Sequence, residues 1–496
     1  MLENILLGFS AAGTITNLGY ALMGALLGTL IGILPGLGPL ATISLLLPFT
    51  YGLDPLSALI MLAGIYYGSA YGGSTTAILM SLPGETASAV TVIDGYQMSR
   101  KGRAGVAITT AAVGSFVAGC IGTLVIAAFA TPLTKIAIDF GPAEYFSLMI
   151  LGLLGAVTMS SGSIAKAISM VVLGLALGLL GTDVNSGTQR FTFGVQELWD
   201  GVDFIVLAVG LFAFGEIVST LTGREPPLTQ HAALSGMLPN WEDIRRMVPA
   251  ILRGTGLGSI LGVLPGAGMS MSSFMSYSIE KRFSGHGHEF GHGAIEGVAG
   301  PEAANNAAAQ TAFIPTLTLG IPGSPTMALI LGALVMHDIQ PGPNVISTNP
   351  TLFWGLIASM WIGNFMLVLL NLPLVGVWVK LLSVPYKLIF PGILMFSCIG
   401  VYSTNFSVFD LYLTALFGIV GVALRYLRFE PAPLVLGFVL GPIMEENFRR
   451  AMLFSGGDYS VFISTGLSAG LLATAVVLAA WMGWSSFRAG RIGGNS

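Results

Sequence analysis

The stretch GPEAANNAAAQTAFIPTLTLGIPGSPT, residues 300–326, decides how the whole chain is read. From Ala303 to Met336 no residue is charged, and the run is long enough to cross a bilayer. Within it sit two adjacent amides, Asn305 and Asn306, then Gln310, then a break at Ile321-Pro322-Gly323-Ser324-Pro325-Thr326. Proline removes a backbone donor and clashes with the preceding turn, and glycine loosens what remains. In lipid, freed backbone groups are costly unless protein or a water-filled cavity satisfies them. A break at membrane depth therefore points to a segment that lines a site, as in transporters that present helix ends to substrates and ions. The plainer alternative is a proline kink in an ordinary spanning helix.

The rest of the composition agrees with a membrane setting. The chain has 496 residues, 54% hydrophobic and 9% charged, where soluble domains carry about a quarter charged residues. An all-α polytopic membrane protein in a lipid bilayer is expected. A net charge of -4 spread this thinly argues against a nucleic-acid partner. The 67 glycines fit close helix packing and several backbone breaks. Cys120 and Cys398 both sit in apolar runs and read as small hydrophobes, not as a disulfide framework or metal cluster. The N-terminus lacks a basic segment and a clear cleavage site, so no signal peptide is read there. No phosphate-binding G-x-x-x-x-G-K-[ST] loop appears, so no ATP-hydrolysing module is expected.

A repeat organises the chain. Gly28-Thr29-Leu30-Ile31-Gly32-Ile33-Leu34-Pro35-Gly36-Leu37-Gly38 returns as Gly258-Ser259-Ile260-Leu261-Gly262-Val263-Leu264-Pro265-Gly266-Ala267-Gly268. Leu82-Pro83-Gly84 returns as Ile321-Pro322-Gly323. Two matches in the same order make two related halves the expectation, 1–223 and 251–496, joined by a polar cytoplasmic linker, 224–250. Each first break reads either as a broken helix or as a re-entrant hairpin. Lysine and arginine in short loops mark the cytoplasmic side. Arg100, Lys101 and Arg103 place their loop inside, whereas the matching loop 337–350 has neither residue and is expected outside. Lys281-Arg282 follows the second-half glycine break, where the first half has only Asp54. Opposite bias at matching loops is what an inverted repeat predicts. The apolar length amounts to roughly twelve crossings plus re-entrant pieces, at about 20 residues each.

The four breaks carry the candidate chemistry. Helix N-termini suit an anion, and carbonyls exposed at helix C-termini suit a cation such as sodium. Gly36, Gly38, Pro83, Glu85, Gly266, Gly268, Pro322 and Gly323 are read as the cation-binding set. Ser74, Thr75, Thr86, Ser88, Asn305, Asn306, Ser324 and Thr326 are read as the substrate-binding set, their hydroxyls and amides suited to carboxylate oxygens. The competing readings are glycine-mediated packing, simple N-caps and interhelical glue. Glu85 and Glu302 border apolar segments, where each suits a cation or a proton, or faces water at a span end. His288-Glu289-Phe290-Gly291-His292 matches the zinc-protease pattern H-E-x-x-H. That chemistry needs a helix with both histidines on one face, and glycines at 285, 287, 291 and 293 work against one. A membrane metalloprotease is the alternative function; a passive channel is a third.

GILPGLGPLATISLLLP, YYGSAYGGSTTAILMSLPGETASAVT, GVLPGAGMSMSSFMSYSIEKR and VLGFVLGPIMEENFRRA, with the opening stretch, closely resemble the large membrane subunit (TctA type) of the tripartite tricarboxylate transporters. The resemblance runs over nearly the whole chain. It implies a non-enzymatic secondary transporter in a bacterial inner membrane. Its partners would be a small membrane subunit and a periplasmic substrate-binding protein. Citrate or related carboxylates would be carried by symport with sodium ions or protons and no other cofactor.

Overall fold

The computed structural model describes residues 2–33, 38–137, 140–158, 163–183, 186–215, 217–218, 236–264, 268–381 and 386–493. These residues fold almost wholly into helices, with one antiparallel pair of two-residue strands, Gly181–Thr182 and Gln189–Arg190, in the connection between the helices Ile164–Gly178 and Phe204–Ala208. Five helices are long and apolar enough to cross a membrane, accompanied by shorter apolar helices of 10–17 residues. The chain is a multi-pass membrane protein.

The first half supplies α1 (Ile15–Ile33), α2 (Pro39–Thr50), α3 (Pro55–Met80), α4 (Ala89–Met98) and α5 (Ala104–Ala137). The second supplies α6 (Trp241–Val263), α7 (Gly268–Phe283), α8 (Glu296–Thr311), α9 (Pro325–Met336) and α10 (Pro350–Asn371). Local chemistry sets the ends. Asp54 accepts the Leu56 N–H at 3.1 Å and opens α3, with Pro55 in the first turn. Asn240 and Asp243 form a reciprocal capping box that opens α6. This helix begins inside the stretch read as the linker, because Arg246 and Arg253 find carboxylates on α7 and α8. The linker's residues 224–235, and Glu216 in the preceding apolar run, lie outside the described residues.

One packing device serves both halves. On α1, a Cβ at Gly28 would come within 2.6 Å of the Ile65 carbonyl oxygen of α3. On α6, a Cβ at Gly258 would come within 2.2 Å of the Ala304 carbonyl oxygen of α8. No other residue permits such approach, and in lipid this contact takes the place of hydrophobic burial. The same glycine spacing thus seats α1 on α3 and α6 on α8.

The ends of these pairs can be located. Asn17 at the start of α1 accepts from Ser57 Oγ at the start of α3, 2.6 Å away. His337, after α9, lies beside Thr50 and Asp54, so it joins that end; burial holds its ring below the ordinary histidine range. At the other end, Lys101 donates to the His292 carbonyl at 2.6 Å, and Arg103 pairs with Asp243 at 2.6 Å. Helical rise puts Ser74 roughly 30 Å along α3 from its start, while Glu302, its partner, lies only roughly 9 Å along α8. The two ends are therefore opposite faces. α6 starts at the face where α4 finishes, and α7 folds back beside α6, tied by Arg253 to Glu280 at 2.6–2.8 Å.

Candidate functional site

Described residues at or beside all four interruptions meet at one cleft of about 880 Å3. Its walls come from Gly38 to Leu40, Pro83 to Thr86, Gly268 to Ser270, and Gly323 to Thr326. Each wall opens or adjoins a helix: α2 at Pro39, α4 at Ala89, α7 at Gly268 and α9 at Pro325. The first turn of a helix has N–H groups without intrahelical partners and the positive end of the dipole. Four such turns around one space favour a negative group there. Among the described residues the lining holds no Lys, Arg or His, and one carboxylate, Glu85.

The Pro-Gly turns are built by their neighbours. α3 ends where Ser81 adopts a left-handed conformation (φ 60°). Ser88, fully buried, accepts the Glu85 N–H at 3.2 Å and donates to the Glu85 carbonyl at 2.9 Å, closing the turn on itself. In the second half Gly320 takes the left-handed place (φ 66°), and Ser324 accepts the Met327 N–H at 3.2 Å to cap α9. Thr86 Oγ1 and Ser270 Oγ meet at 2.7 Å across the cleft, joining the two halves. Asn305 donates to Glu85 Oε1 at 3.2 Å from inside α8, while its own Oδ1, fully buried, has no partner.

The expected site residues thus divide. Gly38, Pro83, Glu85, Thr86, Gly268, Gly323, Ser324 and Thr326 line the cleft. Asn305 reaches it through Glu85, and Ser88 supports it from below. Pro322 belongs to the break but not to the lining. Gly36 and Gly266 lie outside the described residues. Ser74, Thr75 and Asn306 face elsewhere. Ser74 donates to Glu302 Oε2 at 2.6 Å, Thr75 reaches the Tyr71 carbonyl at 3.4 Å, and Asn306 donates to Ser115 Oγ at 2.6 Å. The reason is Glu302, which is buried in the helix bundle and not at a wet span end. Its carboxylate needs donors, and Ser74 and Thr91 supply them, with Ser115 close by. Sequence reasoning named Glu302 but missed Ser270 and the hydroxyls of Thr91 and Ser115 beside Glu302. Ser270 follows Gly268 in a hydroxyl-rich run, the same signal that drew notice after the first-half break.

A second polar region closes the Lys101 face. Arg253 grips Glu280, which is fully buried, and Arg246 binds Glu296 at 2.7–2.8 Å and Glu289 at 2.6 Å. His286 Nδ1 lies 2.9 Å from Glu296. Asp94 Oδ1 accepts N–H groups from Gly291, Gly293 and Ala294 at 2.7–3.0 Å, and its Oδ2 accepts Tyr277 Oη at 2.9 Å. The His288–His292 loop is therefore folded around a carboxylate. Its only helix is a three-residue 3-10 turn, Gly287–Glu289, which does not place two histidines on one face. Glu289 is bound to Arg246, which holds it below the ordinary carboxylate range and away from the role of a base. Among the described residues no group of three His, Cys, Asp or Glu is placed to hold a metal ion.

Comparison with known proteins places the chain. The sequence profile of the tripartite tricarboxylate transporter TctA family matches residues 18–436. An uncharacterized 52.8 kDa protein from the TAR-I ttuC' 3' region of Agrobacterium vitis is 54% identical over 473 residues, 95% of this chain and 94% of that one. An uncharacterized protein from the TAR-II ttuC' 3' region of the same organism is 60% identical over 220 residues, 44% of this chain and 91% of the relative. No solved structure matches.

Proposed function

This chain belongs to the tripartite tricarboxylate transporter TctA family, and from that premise we propose that it is the permease of a cation-coupled carboxylate uptake system. The observation that carries the reading is the meeting of four helix starts at one cleft without a basic side chain. A carboxylate there is held by backbone N–H groups and by Thr86, Ser270, Ser324 and Thr326. Glu85 supplies the coupling logic. Ionised, it repels an anionic substrate; neutralised by a sodium ion or a proton, it does not. Substrate and cation then enter together, which is symport. The substrate class is tricarboxylates such as citrate, delivered by a periplasmic binding protein, with a small membrane subunit as second partner, in the inner membrane. The loop 337–350, with one acid and no Lys or Arg, is the proposed docking surface for the binding protein.

The halves are read as an inverted repeat. What supports this is that α1 and α3 start at the Asp54 face, while their counterparts α6 and α8 start at the Lys101 face. Alternating access follows if the break segments move against the remaining spans, as an elevator-like unit.

Radiolabelled citrate uptake into proteoliposomes holding this chain and both partners tests the reading. Accumulation is expected only with a cation gradient. Ser270→Ala and Thr86→Val are each expected to raise KM about tenfold, the effect of about 1.4 kcal/mol of lost binding. Accumulation untouched by both substitutions moves the site elsewhere. Equilibration without accumulation makes the protein a passive channel.

A further inference from the structure

Between α3, α5 and α10 lies a small void of about 10 Å3. It has room for one water-sized particle. Its polar lining is oxygen-rich: Tyr71, Ser74 and Thr75 on α3, Ser115 on α5 and Asn371 at the end of α10. All five side chains are more than nine-tenths buried. Two of them carry a buried oxygen with no hydrogen-bond partner among the described residues, Tyr71 Oη and Asn371 Oδ1. The Asn371 nitrogen is occupied, donating to the Leu367 carbonyl at 2.9 Å and to Thr29 Oγ1 at 3.3 Å, so the oxygen is the atom left over.

Glu302 adjoins this void through two of its lining hydroxyls. Ser74 donates to its Oε2 at 2.6 Å, and Ser115, which accepts from Asn306, lies beside the same carboxylate. A hydroxyl that donates away keeps lone pairs for the space in front of it. Among the described residues, no lysine, arginine or histidine pairs with Glu302, whereas Glu280 and Glu296 each have an arginine.

Three occupants are possible in principle, and the lining separates them. A proton on Glu302 removes its charge but leaves Tyr71 Oη and Asn371 Oδ1 unengaged. A water engages those oxygens but leaves the carboxylate unpaired. A small monovalent cation answers both needs at once. A divalent ion calls for more than one carboxylate at such a site. We propose that this void, walled by Tyr71, Ser74, Thr75, Ser115 and Asn371 and backed by Glu302, is a sodium-ion site separate from the carboxylate cleft. It rests on the transport reading for the use of the ion, but not for its binding. It also connects to the cleft. Asn305, one turn beyond Glu302 on α8, holds Glu85, so a charge placed at Glu302 is felt on the helix that fixes the cleft's own carboxylate.

The test is equilibrium binding of radioactive sodium to the full-length purified chain in detergent, in choline chloride, without any carboxylate. One saturable sodium ion per chain is expected, not displaced by an equal concentration of potassium. Thr75→Val keeps the side-chain shape and removes one oxygen, and is expected to weaken binding about tenfold. Glu302→Gln is expected to abolish it. Absence of saturable binding, or binding that both variants leave intact, overturns the site. Coupled uptake by a chain that binds no sodium overturns the site and leaves the transport reading standing. Sodium bound by a chain that carries no carboxylate supports the site and sinks the transport reading.

Discussion

The Lys101 face and the interior around Glu302 both bury carboxylates, and they treat them in opposite ways. At the face, Glu280 is fully enclosed yet carries a bidentate arginine, Arg253, and Glu296 carries Arg246. Asp94 is satisfied by three backbone N–H groups and a tyrosine. In the interior, Glu302 has only hydroxyl donors and Glu85 has an amide. Nearby, the oxygens of Asn305, Asn306 and Tyr71 and both polar atoms of Gln310 have no partner among the described residues. A region whose buried carboxylates are all paired in this way is finished as architecture. A region with spare acceptors and, among the described residues, no fixed cation is what the proposed transport role calls for.

That contrast predicts unequal penalties. Removing Arg253 leaves Glu280 buried and alone, so Arg253→Ala is expected to lower stability by about 3–5 kcal/mol, discounted somewhat by the half-exposed arginine. Glu302→Gln, measured in sodium-free choline chloride, is expected to change stability by no more than about 1 kcal/mol, because an amide still bonds to hydroxyls and the unpaired charge is gone. Denaturation midpoints in detergent compare the two. Equal losses would erase the distinction between the regions.

The smallest effect belongs to the rim of the charged face. Glu289 is partly exposed, so Glu289→Gln is expected to cost about 0–1 kcal/mol. Its folded-state titration lies below the ordinary glutamate value because Arg246 favours the carboxylate. Its contribution is therefore complete above the ordinary value and disappears as pH falls through the lowered one. A difference between wild type and Glu289→Gln that persists at the acid end of that window would contradict the pairing. Zinc-dependent peptidase activity lost in this variant would restore the metalloprotease alternative.

How far the sequence could be read follows from the same comparison. Breaks are local: Pro-Gly turns and the hydroxyls beside them announce themselves within a few residues, and Thr86, Ser324 and Thr326 do line the cleft. Pairings across the bundle leave no local mark. Ser74 looks like a site hydroxyl until Glu302, 228 residues away, is seen to take its hydrogen. The His288–His292 loop looks like a metal motif until Asp94, about 200 residues earlier, is found inside it. Asn306 was legible as a buried amide needing a partner, but its partner, Ser115, sits in a run of alanines and glycines with nothing to single it out.

The central claim is that the four breaks enclose the carboxylate. Single Thr86→Cys and Ser270→Cys variants, in a chain with Cys120 and Cys398 replaced by serine, allow it to be tested by thiol labelling with and without citrate and sodium. Leu238→Cys, at an exposed position away from the cleft, is the control. The account predicts that citrate with sodium slows labelling at both cleft positions and leaves position 238 unchanged. Labelling at Thr86→Cys and Ser270→Cys that no carboxylate slows, in a chain still able to transport, would contradict it.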